Sequence, residues 1–217
     1  MSGKLQLRPG SFLLLSLLLV ILLNPVLDHG GWRRLVLGAL MFIPVILSTV
    51  SLSQIKVRMW PVVLLMVGVF VFAVVSNIFA NRLLHSIHWG FLAAFFALTA
   101  ARLFSHLQNS RSVSRADLYT AVSIYLLLGA TWAALYGAME ALRPGSFQLG
   151  THSTDRQSDL LYFSLVTLSR IGYGDIVPLT GEARMLAALE GVIGVLYIAI
   201  TVATLVSGYR RGSSDSA

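Results

Sequence analysis

The sequence predicts an all-α membrane protein of six transmembrane helices, with a re-entrant short helix and a glycine-rich loop between helices five and six. Three observations carry that prediction. The 217 residues are 56% apolar and only 12% charged, and the mean hydropathy of +0.78 is far above that of a soluble domain. Apolar runs recur at 11–27, 35–53, 60–79, 89–104, 118–142 and 184–207, most of them near the ~20 residues that cross the hydrocarbon. Between the last two runs stands TLSRIGYGD, residues 167–175, whose glycines alternate with larger side chains.

Each run has its own flanks. Lys4 and Arg8 precede FLLLSLLLVILL, as in a secretory leader, but NPVLDHGG lacks a small-x-small cleavage site, so a retained first helix is expected. The links DHGGWRR, SQIKVR and NRLLHSIH are short enough to join antiparallel neighbours. Pro25, Pro44 and Pro61 fall in or beside apolar runs, where embedded helices tolerate local kinks. With the N-terminus inside, the cytoplasmic face receives Lys4, Arg8, Lys56, Arg58, Arg102, Arg111, Arg115, Arg210 and Arg211. The opposite short loops receive Arg33, Arg34 and Arg82. That asymmetry places both termini in the cytoplasm.

The formal charge of +7 is therefore a membrane-orientation signal. Its basic residues flank apolar runs and form no stripe for nucleic acid, so no nucleic-acid partner is expected. Cysteine is absent, which removes disulfides and thiolate metal sites. The five histidines, His29, His85, His88, His106 and His152, fall at or beyond the expected span ends, unlike axial haem ligands on facing helices. No HExxH or GxSxG is present. An enzyme is not expected, nor a cofactor.

The composition shifts at HLQNSRSVSRAD, which divides the chain. The expected units are a four-helix transmembrane domain over 1–105, a cytoplasmic linker over 106–117, a pore domain over 118–209 and a cytoplasmic tail over 210–217. A steep voltage sensor needs several arginines at helical spacing, each worth about 2.3 kcal/mol per 100 mV. WGFLAAFFALTAARLF supplies Arg102 alone, so the front domain is expected to pack or regulate.

SDLLYFSLVTLS fits a half-membrane helix, with Ser158 as N-cap and Asp159 in the first turn. Backbone at membrane depth without helical bonds survives only if buried in protein or lining a wet cavity. IGYG needs such a setting. Gly172 and Gly174 permit alternating backbone signs, so that successive carbonyls from several chains aim at one axis and replace an ion's water shell. DIVPLTGEAR then returns the chain outward, with Pro178 ending the extended run.

Residues 157–209 resemble the pore module of the potassium-channel superfamily, in particular six-transmembrane bacterial channels. The match lies in DLLYFSLVTL, IGYGD, the following proline, and a last helix bearing Gly194. The resemblance implies a homotetramer that carries monovalent cations across a cell membrane, here a bacterial inner membrane contacting lipid. It implies a filter of Ser169, Arg170, Ile171, Gly172, Tyr173, Gly174 and Asp175, with potassium ions at the carbonyls of Ile171, Gly172 and Tyr173. It implies a gating bend at Gly194, and an aromatic, Tyr162, bonded to Asp175. Val195, Ile198 and Val202, at helical spacing, are cavity-wall or packing residues.

One departure stands out. The family pattern has threonine where this chain has Arg170. A guanidinium about 6 Å from an ion, at an effective dielectric near 20, opposes a cation by roughly 3 kcal/mol. Three outcomes are open: the arginines act as tethered surrogate cations, or turn aside to a carboxylate, or draw anions into the cavity. For the second, Glu190 is the natural partner, because a mid-span carboxylate needs one; a bond to pore-helix backbone or a wet crevice are its other settings. A nonconducting relative acting as regulatory subunit or scaffold is the alternative function.

Overall fold

A computed structural model describes residues 9–23, 60–79, 81–108, 114–149 and 156–214. The run at 35–53, and the histidines His29 and His152, lie outside the described residues. Among those described, the elements are α1 (Pro9–Leu23), α2 (Trp60–Phe79), α3 (Arg82–Gln108), α4 (Arg115–Leu142), β1 (Phe147–Gln148), α5 (Arg156–Leu168), β2 (Val177–Pro178) and α6 (Gly181–Ser214). The structure is helical, and three stretches are long and apolar enough to cross a membrane: Arg82–Gln108, Ala116–Leu142 and Gly181–Ser207.

Helix boundaries differ from expectation for local reasons. HSIH was read as link, yet α3 begins at Arg82, because the Asn81 side-chain oxygen accepts from the Leu83 N–H at 2.9 Å and caps the first turn. At its other end α3 runs to Gln108, past the expected boundary at 105. Helix α4 begins at Arg115 because Ser114 and Asp117 form a reciprocal capping box. Asp117 Oδ2 accepts from the Ser114 backbone N–H at 2.7 Å and from its hydroxyl at 2.8 Å. The helices thus consume both ends of the 106–117 segment.

Helix α4 is the axis of the structure. It packs antiparallel along α3, with the Ser86 hydroxyl donating to the Ala138 carbonyl at 3.1 Å, and α1, α5 and α6 lie against its other sides. Small residues set these approaches. A β-carbon on Gly137 would meet the Trp89 ring at 2.8 Å, and one on Gly129 would meet Leu165 Cδ2 at 2.8 Å. One core joins α1, α2, α3 and α4 around Phe95, Phe96, Ile124 and Leu127. A second gathers Trp132, Tyr136, Phe147, Phe163, Leu168 and Ile176 behind the glycine-rich loop. Many apolar side chains face outward, among them Leu15, Leu22, Phe70 and Ile78, as a chain surrounded by hydrocarbon requires.

Candidate functional site

The site is the segment from α5 to the first turns of α6. Helix α5 covers Arg156–Leu168, so Ser158 is its third residue and not its cap, which corrects the sequence expectation. Asp159 does stand in the first turn and is buried.

The C-terminal end of α5 sets the loop geometry. The Arg170 N–H donates to the Thr167 carbonyl at 3.1 Å and the Ile171 N–H to the Val166 carbonyl at 3.0 Å. This is the Schellman pattern, in which the residue after the cap turns left-handed. That residue is Arg170, with φ 63°, a conformation normally reserved for glycine or asparagine. Gly172 and Gly174 follow with φ 60° and 78°, so every second residue from 170 to 174 is left-handed. A β-carbon on either glycine would meet nothing within 4 Å, so backbone conformation, and not space, demands glycine there.

Residues 169–175 are all exposed in the single chain, Ile171 by 56% and Tyr173 by 68%. Beyond them, Ile176 is buried in the second core, and β2 pairs antiparallel with β1, Phe147 opposite Pro178 and Gln148 opposite Val177. The loop is thus pinned at both ends and exposed along its middle. Tyr162 hydrogen-bonds Asp175 and its ring stacks on Tyr173 with centroids 6.5 Å apart and planes 3° from parallel.

Arg170 does not meet Glu190. Its guanidinium lies against Gly191 of α6, where a β-carbon would approach Nη1 to 2.6 Å. Among the described residues no carboxylate lies in ion-pair range of it. Glu190 is fully buried and faces another way: Oε2 accepts from the Tyr136 hydroxyl at 2.5 Å and Oε1 contacts the Ser164 hydroxyl at 2.5 Å. In place of the pairing left open for these residues stands a knot joining α4, α5 and α6. Sequence reading missed Tyr136 and Ser164; their one signal was a polar tip inside an apolar helix, which demands a partner.

Gly194 packs against the end of α5, where a β-carbon would overlap the Leu168 carbonyl oxygen. Helix α6 continues through it without interruption. Val195, Ile198 and Val202 are each about half exposed, at 50%, 50% and 55%. Three residues past Gly194, the Tyr197 hydroxyl donates to the Ala121 carbonyl at 2.6 Å.

The family model described as "Ion channel" matches residues 120–210. Over 83 residues the chain is 37% identical to two pore potassium channel c of Oryza sativa subsp. japonica, covering 38% of this chain and 17% of that protein. It is 32% identical over 92 residues to the inward rectifier potassium channel Kirbac3.1 of Paramagnetospirillum magnetotacticum, covering 41% and 28%. It is 45% identical over 51 residues to potassium voltage-gated channel subfamily KQT member 3 of Homo sapiens, covering 24% and 6%. The chain therefore spans less than a third of the length of each of these relatives. No solved structure matches it. Residues 120–210, which contain α5, the left-handed loop and most of α6, thus match an ion-channel family model, and the relatives that share this stretch are potassium channels.

Proposed function

We propose that four copies of this chain assemble in a cell membrane as a potassium-channel-like pore, with Arg170 restricting conduction from the inner end of the filter. The observation that carries the reading is the left-handed alternation at Arg170, Gly172 and Gly174, which begins one residue past the C-cap of a helix too short to cross a bilayer. Such a strand presents successive carbonyls to one side. Four of them related by a closed rotation would ring an axis, with potassium ions at the carbonyls of Ile171, Gly172 and Tyr173.

In this reading α5 is re-entrant, and the chain crosses six times with both termini in the cytoplasm. The membrane is a bacterial inner membrane, and Gly194 provides the gating bend. Helix α6 exposes Val195, Ile198 and Val202 toward the cavity. The front domain, lacking an arginine repeat, packs or regulates.

The Arg170 guanidinium, without a carboxylate among the described residues, supports the surrogate-cation outcome over the ion-paired one. The C-terminal ends of four α5 helices would converge there, and helix C-termini favour a cation. The same feature supports a second reading, a nonconducting subunit that accompanies a pore protein with a threonine filter. Flux of potassium, sodium and chloride into liposomes, for the native chain and Arg170→Thr, tests both. A rise in potassium flux on substitution is expected. Equal potassium flux through both forms removes the surrogate cation, and no cation flux through either supports the subunit reading.

A further inference from the structure

The hydrogens available to the knot behind the loop do not suffice if Glu190 is ionised. Three oxygen–oxygen contacts meet there: Tyr136 Oη to Glu190 Oε2 at 2.5 Å, Ser164 Oγ to Glu190 Oε1 at 2.5 Å, and Ser164 Oγ to the Gly129 carbonyl at 2.8 Å. Each needs one proton. Tyr136 and Ser164 have one hydroxyl hydrogen each, and the Gly129 carbonyl has none. With a carboxylate at 190, Ser164 could satisfy only one of its two neighbours, leaving two acceptors in close apposition.

We propose that Glu190 is a neutral carboxylic acid whose proton completes a directed chain: Glu190 Oε1–H donates to Ser164, Ser164 donates to the Gly129 carbonyl, and Tyr136 donates to Oε2. The three contacts then use three protons, and no charge is buried. The surroundings agree. Glu190 is wholly enclosed, and the groups facing it are Tyr125 and Tyr136 from α4 and Ser164 from α5. The Arg170 guanidinium lies at Gly191 of α6, and among the described residues neither it nor Glu190 is in an ion pair. Burying a carboxylate without a countercharge is far more costly than burying a hydrogen-bonded acid.

The chain makes Tyr136, Ser164 and Glu190 positioning residues for the filter. Ser164 stands one turn before Leu168, whose carbonyl rests on Gly194, so the acid fixes α5 against both long helices at the level where the loop begins. This role presumes the pore reading; the protonation state does not.

Infrared difference spectra of the full chain in detergent, native minus Glu190→Gln, test the assignment. The carbonyl stretch of a protonated carboxylic acid, which carboxylates do not show, is expected in the native protein at neutral pH, absent from Glu190→Gln, and shifted in heavy water. Glutamine mimics the neutral acid, with its amide donating to Ser164 and its oxygen accepting from Tyr136. Glu190→Gln is therefore expected to keep the native unfolding temperature and potassium-to-sodium flux ratio, while Glu190→Ala lowers both. Ser164→Ala should shift the acid band by removing its acceptor. Absence of an acid band, or a glutamine variant as unstable as the alanine one, overturns the proposal. A protein that shows the band but carries no ions keeps the neutral acid and removes the pore reading instead.

Discussion

The carbonyl oxygen of Leu168, the last residue of α5, occupies the space that a side chain on Gly194 of α6 would need. The glycine is thus a seat for the end of the short helix. Bending at 194 would either carry that helix along or break the seat, which ties any hinge there mechanically to the loop. Gly194→Ala is expected to destabilise the detergent-solubilised protein by about 1–3 kcal/mol, the usual range for overpacking against backbone. Gly90, on the outer face of α3, meets nothing within 4 Å. Gly90→Ala is accordingly expected to be neutral or to stabilise by up to about 1 kcal/mol through helix propensity. Denaturant unfolding of the pair separates a packing role from a general intolerance of alanine.

Arg170 combines two properties that substitution can part. Its left-handed backbone, φ 63°, costs a non-glycine residue roughly 1–2 kcal/mol. Its charge opposes cations. Arg170→Asn keeps a residue tolerant of that backbone and removes the charge, so stability should rise slightly and potassium uptake should increase. Arg170→Lys keeps the charge and should leave uptake low. Gly191→Ala would push the guanidinium off its resting place, and its effect on uptake should vanish in the Arg170→Asn background. An effect that persists there would place the action of Gly191 elsewhere.

How far the sequence announced this arrangement follows from the range of each interaction. Helix α5, the loop and α6 were legible because their signals are local: an apolar half-span, IGYGD, and a following proline. The cap of α5 was not, because Ser158 is a good cap by type and only the register of the helix, which begins at Arg156, shows that it stands inside the first turn. The start of α3 was hidden by His85 and His88, which read as polar link, although the His88 ring reaches the Val69 carbonyl at 3.2 Å within the helix pair. The partner of Glu190 was illegible for a different reason. Opposite charge made Arg170 the natural choice, but the two side chains leave α6 and the loop on different sides, and Tyr136 and Ser164, far away in sequence, already fill the carboxyl's bonding positions.

The turn that leads from α4 into β1 depends on Glu140. This carboxylate is buried to 6% exposure and accepts from the backbone N–H groups of Gly145 at 2.8 Å and Ser146 at 3.0 Å, with Arg156 at 3.8 Å. Gly145 itself is left-handed, at φ 89°. Glu140→Ala strands the Gly145 N–H and leaves Ser146 only its longer bond to the Arg143 carbonyl at 3.2 Å, and is expected to cost about 1.5–3 kcal/mol, the range for a hydrogen bond to a charged group. Glutamine offers one acceptor oxygen and so should recover less than half of that. Unfolding midpoints of the two variants, with proteolytic nicking near 145 as a local probe, check the order.

Tyr197 joins α3 and α4 to the last helix through two separable contacts. Its hydroxyl donates to the Ala121 carbonyl at 2.6 Å, and its ring lies between Phe104 at 5.9 Å and Tyr125 at 5.8 Å between centroids. Tyr197→Phe keeps the ring and should cost only about 1 kcal/mol, because the Ala121 carbonyl is still within α4 and can be satisfied there. Tyr197→Ala removes the ring as well and should cost about 3–5 kcal/mol. A double-mutant cycle between Phe104→Ala and Tyr197→Ala should show a coupling of about 0.5–1.5 kcal/mol, the range for paired aromatic rings. Additive losses would mean that α3 and α6 touch at this point without holding each other, and that front-domain movement reaches α6 by way of α4.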